Sequence, residues 1–374
     1  VVKTLIIDDY LDIDGVAWEI ANKYITWENM RQNKVREWQE IQEYIFATDT
    51  TKTTNSKLPW SNKTTLPKLC QIRDNLFANY MASMFPKRKW LIWQGQNPID
   101  EEQGKKMTIE SYMGWVVDRN EFYDEVSKLI LDYIDYGNVF ATVEWIDNSQ
   151  DLLEEAANPA MPSRQVGYVG PMIKRISPLD IVFNPIASNF SSTPKIIRSF
   201  ISLGELKKLI EKEKGTEDAE EAKKLFDYFK GIRQSMSEQP RGSNMHTKDR
   251  IFSISGFDNY RNYLESDTIE VLTFYGDYYD KDNDKFYQNR IVKIVDRHKV
   301  ISNNPNPSFF GTVPIFHSGW RIRPDNLWAM GPLDNLLGMQ YRIDHLENMK
   351  SDVFDLIAAP PIKISGYVED FTWG

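Results

Sequence analysis

The 374-residue chain is 41% hydrophobic and 26% charged, an ordinary globular balance long enough for a sizeable core and more than one domain. Its net charge of −9 shows no overall basic surface of the kind with which proteins grip nucleic acid, so the protein either avoids nucleic acid or lets it pass without sticking. A lone cysteine, Cys70, excludes an intramolecular disulfide and points to assembly in a reducing compartment. With only four scattered His, it also argues against a structural zinc site.

No run approaches the ~18 apolar residues of a membrane span, and no signal-like segment precedes Val1. A start without Met and a stop at Trp373-Gly374 read as one part of a larger protein.

In chain order, Val16–Phe46 predicts one helix or two joined helices, with Trp18, Ile25, Val35, Trp38, Ile41 and Ile45 inward. Residues 47–65 are a Thr/Asn/Ser/Lys-rich loop too polar to pack. Pro67–Phe85 predicts a helix with a stripe of Leu69, Ile72, Leu76, Tyr80 and Met84, ended by Pro86, and Lys89–Gln94 a strand. Met107–Tyr136 predicts a helical block whose best apolar face is Phe122, Val126, Leu129, Ile130, Tyr133 and Ile134. Gly137 stops it, and Asn138–Ile146 is a strand.

Residues 150–164 read as a surface insertion, and Pro171–Pro185 as two short strands bent at Ser177-Pro178. Gly204–Gly231 predicts a pair of solvated helices with ion pairs four residues apart, and 235–248 a mobile loop. Thr268–Asp280 and Lys285–Ile301 predict a hairpin around residues 281–284. A Pro-rich turn follows at 303–311, then a strand at Val313–Trp320 and a loop at Ile322–Gly331. Strands and helices intermix without βαβ rhythm or repeats, so the fold class is α+β.

The most informative stretch is Pro332–Ala359, closed by Pro360-Pro361. Leu336, Met339, Ile343, Leu346, Val353 and Ile357 recur at three- and four-residue steps, the stripe of an amphipathic helix of roughly 40 Å. Asp334, Asp344, Asn348, Asp352 and Asp355 collect on the other face, while Arg342 and Lys350 interrupt the apolar stripe. Such a rod needs neighbours, within this chain or in copies of it. Glu347 is placed to pair with Lys350 inside the helix.

Catalytic motifs are weak. Asp12-Ile13-Asp14 resembles the nucleophile motif of haloacid-dehalogenase-like phosphatases, and Gly276-Asp277-Tyr278-Tyr279-Asp280 their Mg²⁺-holding motif. The first lacks the apolar strand that should lead into it, because Asp8-Asp9-Tyr10-Leu11 intervene. Asp280, Asp282 and Asp284 alternate like calcium-loop ligands, but Lys285 and Ile291 stand where that loop needs glycine and an acid. No nucleophile elbow, phosphate loop or dinucleotide fingerprint occurs, and His246, His298, His317 and His345 stand apart. The residues favour a protein that is not an enzyme and needs no cofactor. Eleven Trp raise a carbohydrate-binding module as a further class, but they fall mostly in apolar-periodic segments, which favours core packing.

Several passages carry a resemblance, among them the early helix and strand over Leu66–Trp93 and the hairpin from Glu270 to Ile301. LILDYIDYGNVFATVEW (Leu129–Trp145) is a helix–Gly–strand entry; GPMIKRISPLDIVFNP (Gly170–Pro185) is a bent strand pair. The long passage from Asn304 to Ile364 runs from a Pro-containing strand through a Gly-containing loop into the long helix and its Pro-Pro exit. In this order they resemble the portal (head–tail connector) proteins of tailed bacteriophages, particularly short-tailed ones, over about two thirds of the chain; 204–248 matches least.

The resemblance implies a portal-like α+β fold. Residues 1–320 would be a wing of helices and strands, with 47–65 and 235–248 as loops and 204–231 as an insertion. Residues 321–359 would be the stem helix and its lead-in, and 360–374 the start of a clip whose remainder lies outside the chain. It implies a ring of about twelve copies at one capsid vertex, through which double-stranded DNA is packaged and ejected, bound weakly and without sequence preference. Partners would be the major capsid protein, the large subunit of the terminase motor and a head-completion or tail adaptor, with no membrane. The protein would be assembled in the bacterial cytoplasm and reside in the virion.

On this reading Asp334, Asp344, Asn348, Asp352 and Asp355 face the channel, where the acids repel phosphate. Arg342, Leu346, Lys350, Val353 and Ile357 meet neighbouring subunits, and Lys363, Tyr367, Glu369 and Asp370 meet the motor. The alternatives are another virion part, such as a tail or baseplate subunit, and a haloacid-dehalogenase-like phosphatase.

Overall fold

A computed structural model describes residues 15–46, 64–87, 90–94, 99, 104–119, 121–147, 150–151, 165–166, 168–214, 219–235, 268–280, 284–297, 299–308 and 311–360. The expectations for Asp12, Asp14, most of the 47–65 loop, most of the 150–164 insertion, residues 236–248, His246, His298 and the calcium-like turn at 281–283 lie outside them.

The chain is mixed α+β. Its first helical segment divides at Arg31 into α1 (Gly15–Met30) and α2 (Gln32–Ile45). Helix α2 buries Val35, Trp38, Ile41 and Ile45 as its periodicity requires. Helix α1 instead buries Ala17, Ile20, Ala21 and Tyr24, and leaves Trp18 and Ile25 exposed, contrary to expectation. The two alanines allow the helix to sit close on a sheet, and large side chains one wheel position away are turned out. Arg31, itself buried, pins the joint. Its guanidinium donates to the carbonyls of Pro178, Leu179 (2.6 Å) and Ile181 (2.7 Å), closing the bend foreseen at Ser177-Pro178.

Helix α3 (Lys68–Met84) follows, burying Leu69 and half-burying Leu76 and Tyr80, while Ile72 and Met84 remain exposed. Trp90–Gln94, expected as part of a strand, pairs with no strand among the described residues. The helical block from 107 is two helices, α4 (Lys105–Arg119) and α5 (Phe122–Asp135), separated where Glu121 takes φ +53°. Helix α5 presents Val126, Ile130 and Ile134 to the core. Its carboxylates hold neighbours, Asp135 receiving Arg73 of α3 at 2.6 and 2.9 Å and Asp132 receiving Arg175.

Strand β1 (Asn138–Asp147) is followed by the short pair β2 (Gln150–Asp151) and β3 (Gln165–Val166), then β4 (Val169–Ile176) and β5 (Ile181–Phe183). β6 (Lys195–Ser202) leads into α6 (Leu203–Lys214) and α7 (Ala219–Ser235). The remaining elements are β7 (Thr268–Asp280), β8 (Lys285–Val295), β9 (Lys299–Pro305), β10 (Ile315–Gly319), β11 (Arg321–Arg323), β12 (Asn326–Met330) and α8 (Leu337–Ala358).

Two antiparallel sheets organise the fold. One has the order β10-β1-β4; the other is a meander, β5-β6-β7-β8-β9. Alternation along β7 and β8 gives the meander two apolar faces. Leu272, Phe274, Val292 and Ile294 meet Ala17, Ile20 and Tyr24 of α1, whereas Ile269, Val271 and Val295 meet Leu206, Ile210, Ala222 and Phe229 of α6 and α7. The charged helices at 204–231 are therefore not fully solvated, though their outer face carries the expected spacing in Lys207–Glu211 (3.9 Å).

Two turns escaped the sequence. The strand expected over Lys285–Ile301 is β8 and β9, joined where Asp296 and Arg297 both take positive φ without glycine. The loop expected over Ile322–Gly331 holds the β11–β12 hairpin. A bulge in β7 at Gly276 (φ +139°) absorbs the phosphatase-like motif, with Asp277 accepting from the Asn289 amide at 2.6 Å.

Candidate assembly surface

The long helix α8 is positioned by a joint built from its lead-in and the start of β1. Gly137, at φ +67°, lets the chain turn from α5 into β1, and its carbonyl accepts from the Trp320 amide at 2.9 Å. Beside it Asn138 is fully buried and fully used. Its Nδ2 donates to the carbonyls of Tyr136 (2.9 Å) and Ala329 (3.0 Å), and its Oδ1 accepts from the Ala329 amide (2.9 Å). That network fixes the amide's orientation, so His317 Nε2, 3.2 Å from Oδ1, is the donor of their bond. His317 also stacks on Phe140 at 4.7 Å, and burial pulls its pKa down to about 4, keeping the ring neutral.

Residues 332–336 then form turns instead of helix, so α8 begins five residues later than Pro332 led us to expect. Asp334 makes the turn. Its carboxylate accepts from the Gly331 amide at 2.9 Å and pairs with Lys34 of α2, with both side chains largely buried. Leu333 sits in the core, and Tyr341 packs edge-on to Tyr44 at 5.4 Å while its hydroxyl donates to Glu40. At the far end Ala359 leaves helical geometry before Pro360, as a residue preceding proline does. The 22 residues make a rod of about 33 Å.

The faces of this rod are the reverse of the ordinary arrangement. Its buried residues are Gln340, Asp344 and Asn348, at 2%, 6% and 1% exposure. They meet the extended segment Thr64–Leu66. Asn348 Oδ1 accepts from the Thr64 amide at 2.7 Å and its Nδ2 donates to the Thr64 carbonyl at 3.1 Å. Asp344 Oδ1 accepts from the Leu66 amide at 3.0 Å, and Gln340 Nε2 donates to the Leu66 carbonyl at 2.6 Å and to Asp344 Oδ1 at 2.8 Å. Burial raises the Asp344 pKa against the pull of those bonds.

The expected channel-facing set is corrected accordingly. Asp344 and Asn348 face the chain's own backbone, and Asp334 is engaged in the lead-in turn; Asp352 is half-buried and Asp355 exposed. A helical wheel separates polar from apolar faces but does not say which is inward. Here the inner neighbour is bare backbone, whose N–H and C=O groups demand polar partners. For the same reason the 47–65 loop is not wholly unpacked, since its last residues dock.

Of the expected subunit contacts, Leu346, Val353 and Ile357 are 46%, 49% and 69% exposed. Arg342 and Lys350 are exposed too. Lys350 lies 3.5 Å from Glu347, the pairing read from their spacing, and 5.8 Å from the centroid of the Phe354 ring. Met339, Ile343, Met349, Phe354 and Leu356 enlarge the exposed apolar surface. Burying half of this face against a neighbour is worth on the order of 5 kcal/mol before association costs. Lys363, Tyr367, Glu369 and Asp370 lie outside the described residues.

Gln340 was not among the expected site residues. The repeat of amide, carboxylate and amide at Gln340, Asp344 and Asn348, four residues apart, was the available signal. Other candidates carry less. Trp38 and Trp328 are core residues, but Trp18, Trp115 and Trp145 are exposed, against the expectation of core packing. Among the described residues no group of His, Cys, Asp or Glu is placed to hold a metal ion, and no helix is long and apolar enough to cross a membrane. Comparison with protein-family models and with curated proteins gives no match to this chain.

Proposed function

We propose that this chain is a subunit of a portal-type head–tail connector, a closed ring of about twelve copies at one vertex of a tailed-phage capsid. The ring passes double-stranded DNA inward during packaging and outward during ejection. It is gripped by the major capsid protein and docks the terminase motor and later a tail adaptor. The role is mechanical and calls for no cofactor.

The outward apolar face of α8 carries this reading. Leu346, Val353, Phe354 and Ile357 form a surface of the kind that marks a protein contact, on a helix whose inward side is already occupied by polar bonds to Thr64–Leu66. A cyclic ring brings two different surfaces of one chain together, and a free apolar rod suits one of them. The joint supports it further. The portal-like passages interlock: 129–145 meets 304–364 through Gly137 with Gly331 and Asn138 with Ala329, and 170–185 pairs with 129–145 as β4 on β1. A net charge of −9 suits a conduit that must not hold DNA.

Single-particle images down the symmetry axis test the proposal. A closed ring of about twelve subunits is expected; an open stack would favour a tail component, and a monomer would remove the connector reading.

A further inference from the structure

The contact between α8 and Thr64–Leu66 has an unusual economy. Both backbone groups of Thr64 and both of Leu66 are taken by three side chains from one helix face. Four helical residues advance about 6 Å and two extended residues about 6.6 Å, so a ladder at 340, 344 and 348 matches alternate residues of a strand running antiparallel to the helix. The ladder therefore presents a helix face as though it were the edge of a sheet, and reads main chain without regard to side chain.

The strap is also tied to the body. The Leu66 carbonyl accepts from the Lys68 amide at 2.8 Å, where α3 begins, and α3 is fixed to α5 by Arg73–Asp135. The apolar contacts of α8 with the core come from its beginning, at Leu337 and Tyr341. Beyond Tyr341 its buried residues are Asp344 and Asn348, both on the strap.

We propose that Thr64–Leu66 is an assembly latch, an extended strap seated on the Gln340–Asp344–Asn348 ladder. It holds α8 in the rotational setting that turns Leu346, Val353 and Ile357 outward to a second copy of this chain. Unseated, the helix loses its azimuthal anchor and exposes three polar side chains beside its apolar face, so neighbouring copies no longer meet a preset surface. The inference rests on the ring reading above.

The test compares ring fraction at equal concentration with amide hydrogen exchange at Thr64 and Leu66. Gln340→Ala with Asn348→Ala removes the side chains that donate to the strap's carbonyls and the one that accepts from the Thr64 amide. Asp352→Asn, on the same helix but outside the ladder, is the control. The double variant is expected to melt as a folded protein, lose protection at Thr64, and form at least tenfold fewer rings, while Asp352→Asn stays near wild type. If the double variant does not fold, Asn348→Asp serves, since it keeps the acceptor for the Thr64 amide and turns the donor into a carboxylate oxygen that repels the Thr64 carbonyl; a severalfold drop in ring fraction is expected. Unlatched chains that form rings as readily as wild type overturn the latch and leave the ring reading standing. A wild-type chain that forms no ring, even with Thr64 and Leu66 protected, overturns both.

Discussion

Gly137 and Gly331 meet backbone to backbone: a Cβ on Gly137 would stand 2.3 Å from the Gly331 nitrogen, and Gly137 is held at φ +67°. Two parts of the chain nearly two hundred residues apart lie this close because Gly137 carries no side chain; a Cβ on Gly331 would be tight, 3.2 Å from the Gly137 nitrogen. Gly137→Ala is therefore expected to lower stability by more than about 2 kcal/mol, combining left-handed strain with a clash that backbone must absorb. Gly338, in α8 with open space around it, is the contrast. Gly338→Ala is expected to raise stability by about 0.5–1 kcal/mol. Urea unfolding of both variants checks the pair.

Arg31 answers three carbonyls at the bend between β4 and β5, with no carboxylate among those partners. Arg31→Lys keeps the charge but not the fork that reaches all three, and is expected to cost about 2–4 kcal/mol. Thermal unfolding monitored by circular dichroism measures it. A lysine variant as stable as wild type would remove the clamp.

His317 should make stability depend on pH. Its folded-state pKa, about 4, lies below the ordinary value of 6.5, so as pH falls the unfolded chain takes up the proton first. The contribution is fully present above about pH 6.5 and drains away toward pH 4, for a total of up to about 3 kcal/mol. His317→Gln removes the titrating ring, and its melting temperature is expected to fall less steeply than that of wild type between pH 7 and pH 4.5. Parallel curves would contradict the assignment.

Lys350 and Asp352 separate the exposed side of α8 from its half-buried flank. Lys350→Glu turns its attraction to Glu347 into repulsion and adds a negative charge beside the apolar face, so it is expected to cut ring yield severalfold. Asp352→Asn should change it little. Equal yields from the two variants would move the subunit contact elsewhere.

Much of the fold was legible in the residues. The helices over α2, α3, α6 and α7, the bend at Ser177-Pro178, the stop at Gly137 and the exit at Pro360 each follow from local chemistry. The misses share a cause. Asp296 and Arg297 turn the chain with positive φ where no glycine or asparagine announces it, held by Arg297 binding Glu270 at 2.8 and 3.0 Å. On α1 and α8, the wheel marks two faces but tertiary partners choose between them. An approaching sheet selects Ala17 and Ala21 over Trp18, and an approaching bare backbone selects Gln340, Asp344 and Asn348 over Leu346 and Val353. Asn138 looked like the first residue of a strand, and its role as a hub depends on Ala329 and His317, which only the folded chain brings to it.

On the proposed reading, the apolar face of α8 joins copies of this chain into a ring. Mass photometry of wild type beside a Val353→Glu/Ile357→Glu variant tests it most directly, because both positions are exposed in the single chain and their change should leave its fold intact. A closed assembly of about twelve copies is expected from wild type, and 43.7 kDa monomers with an unchanged melting temperature from the variant. The same assembly from both proteins, or a wild-type chain that stays monomeric at every concentration, would contradict it.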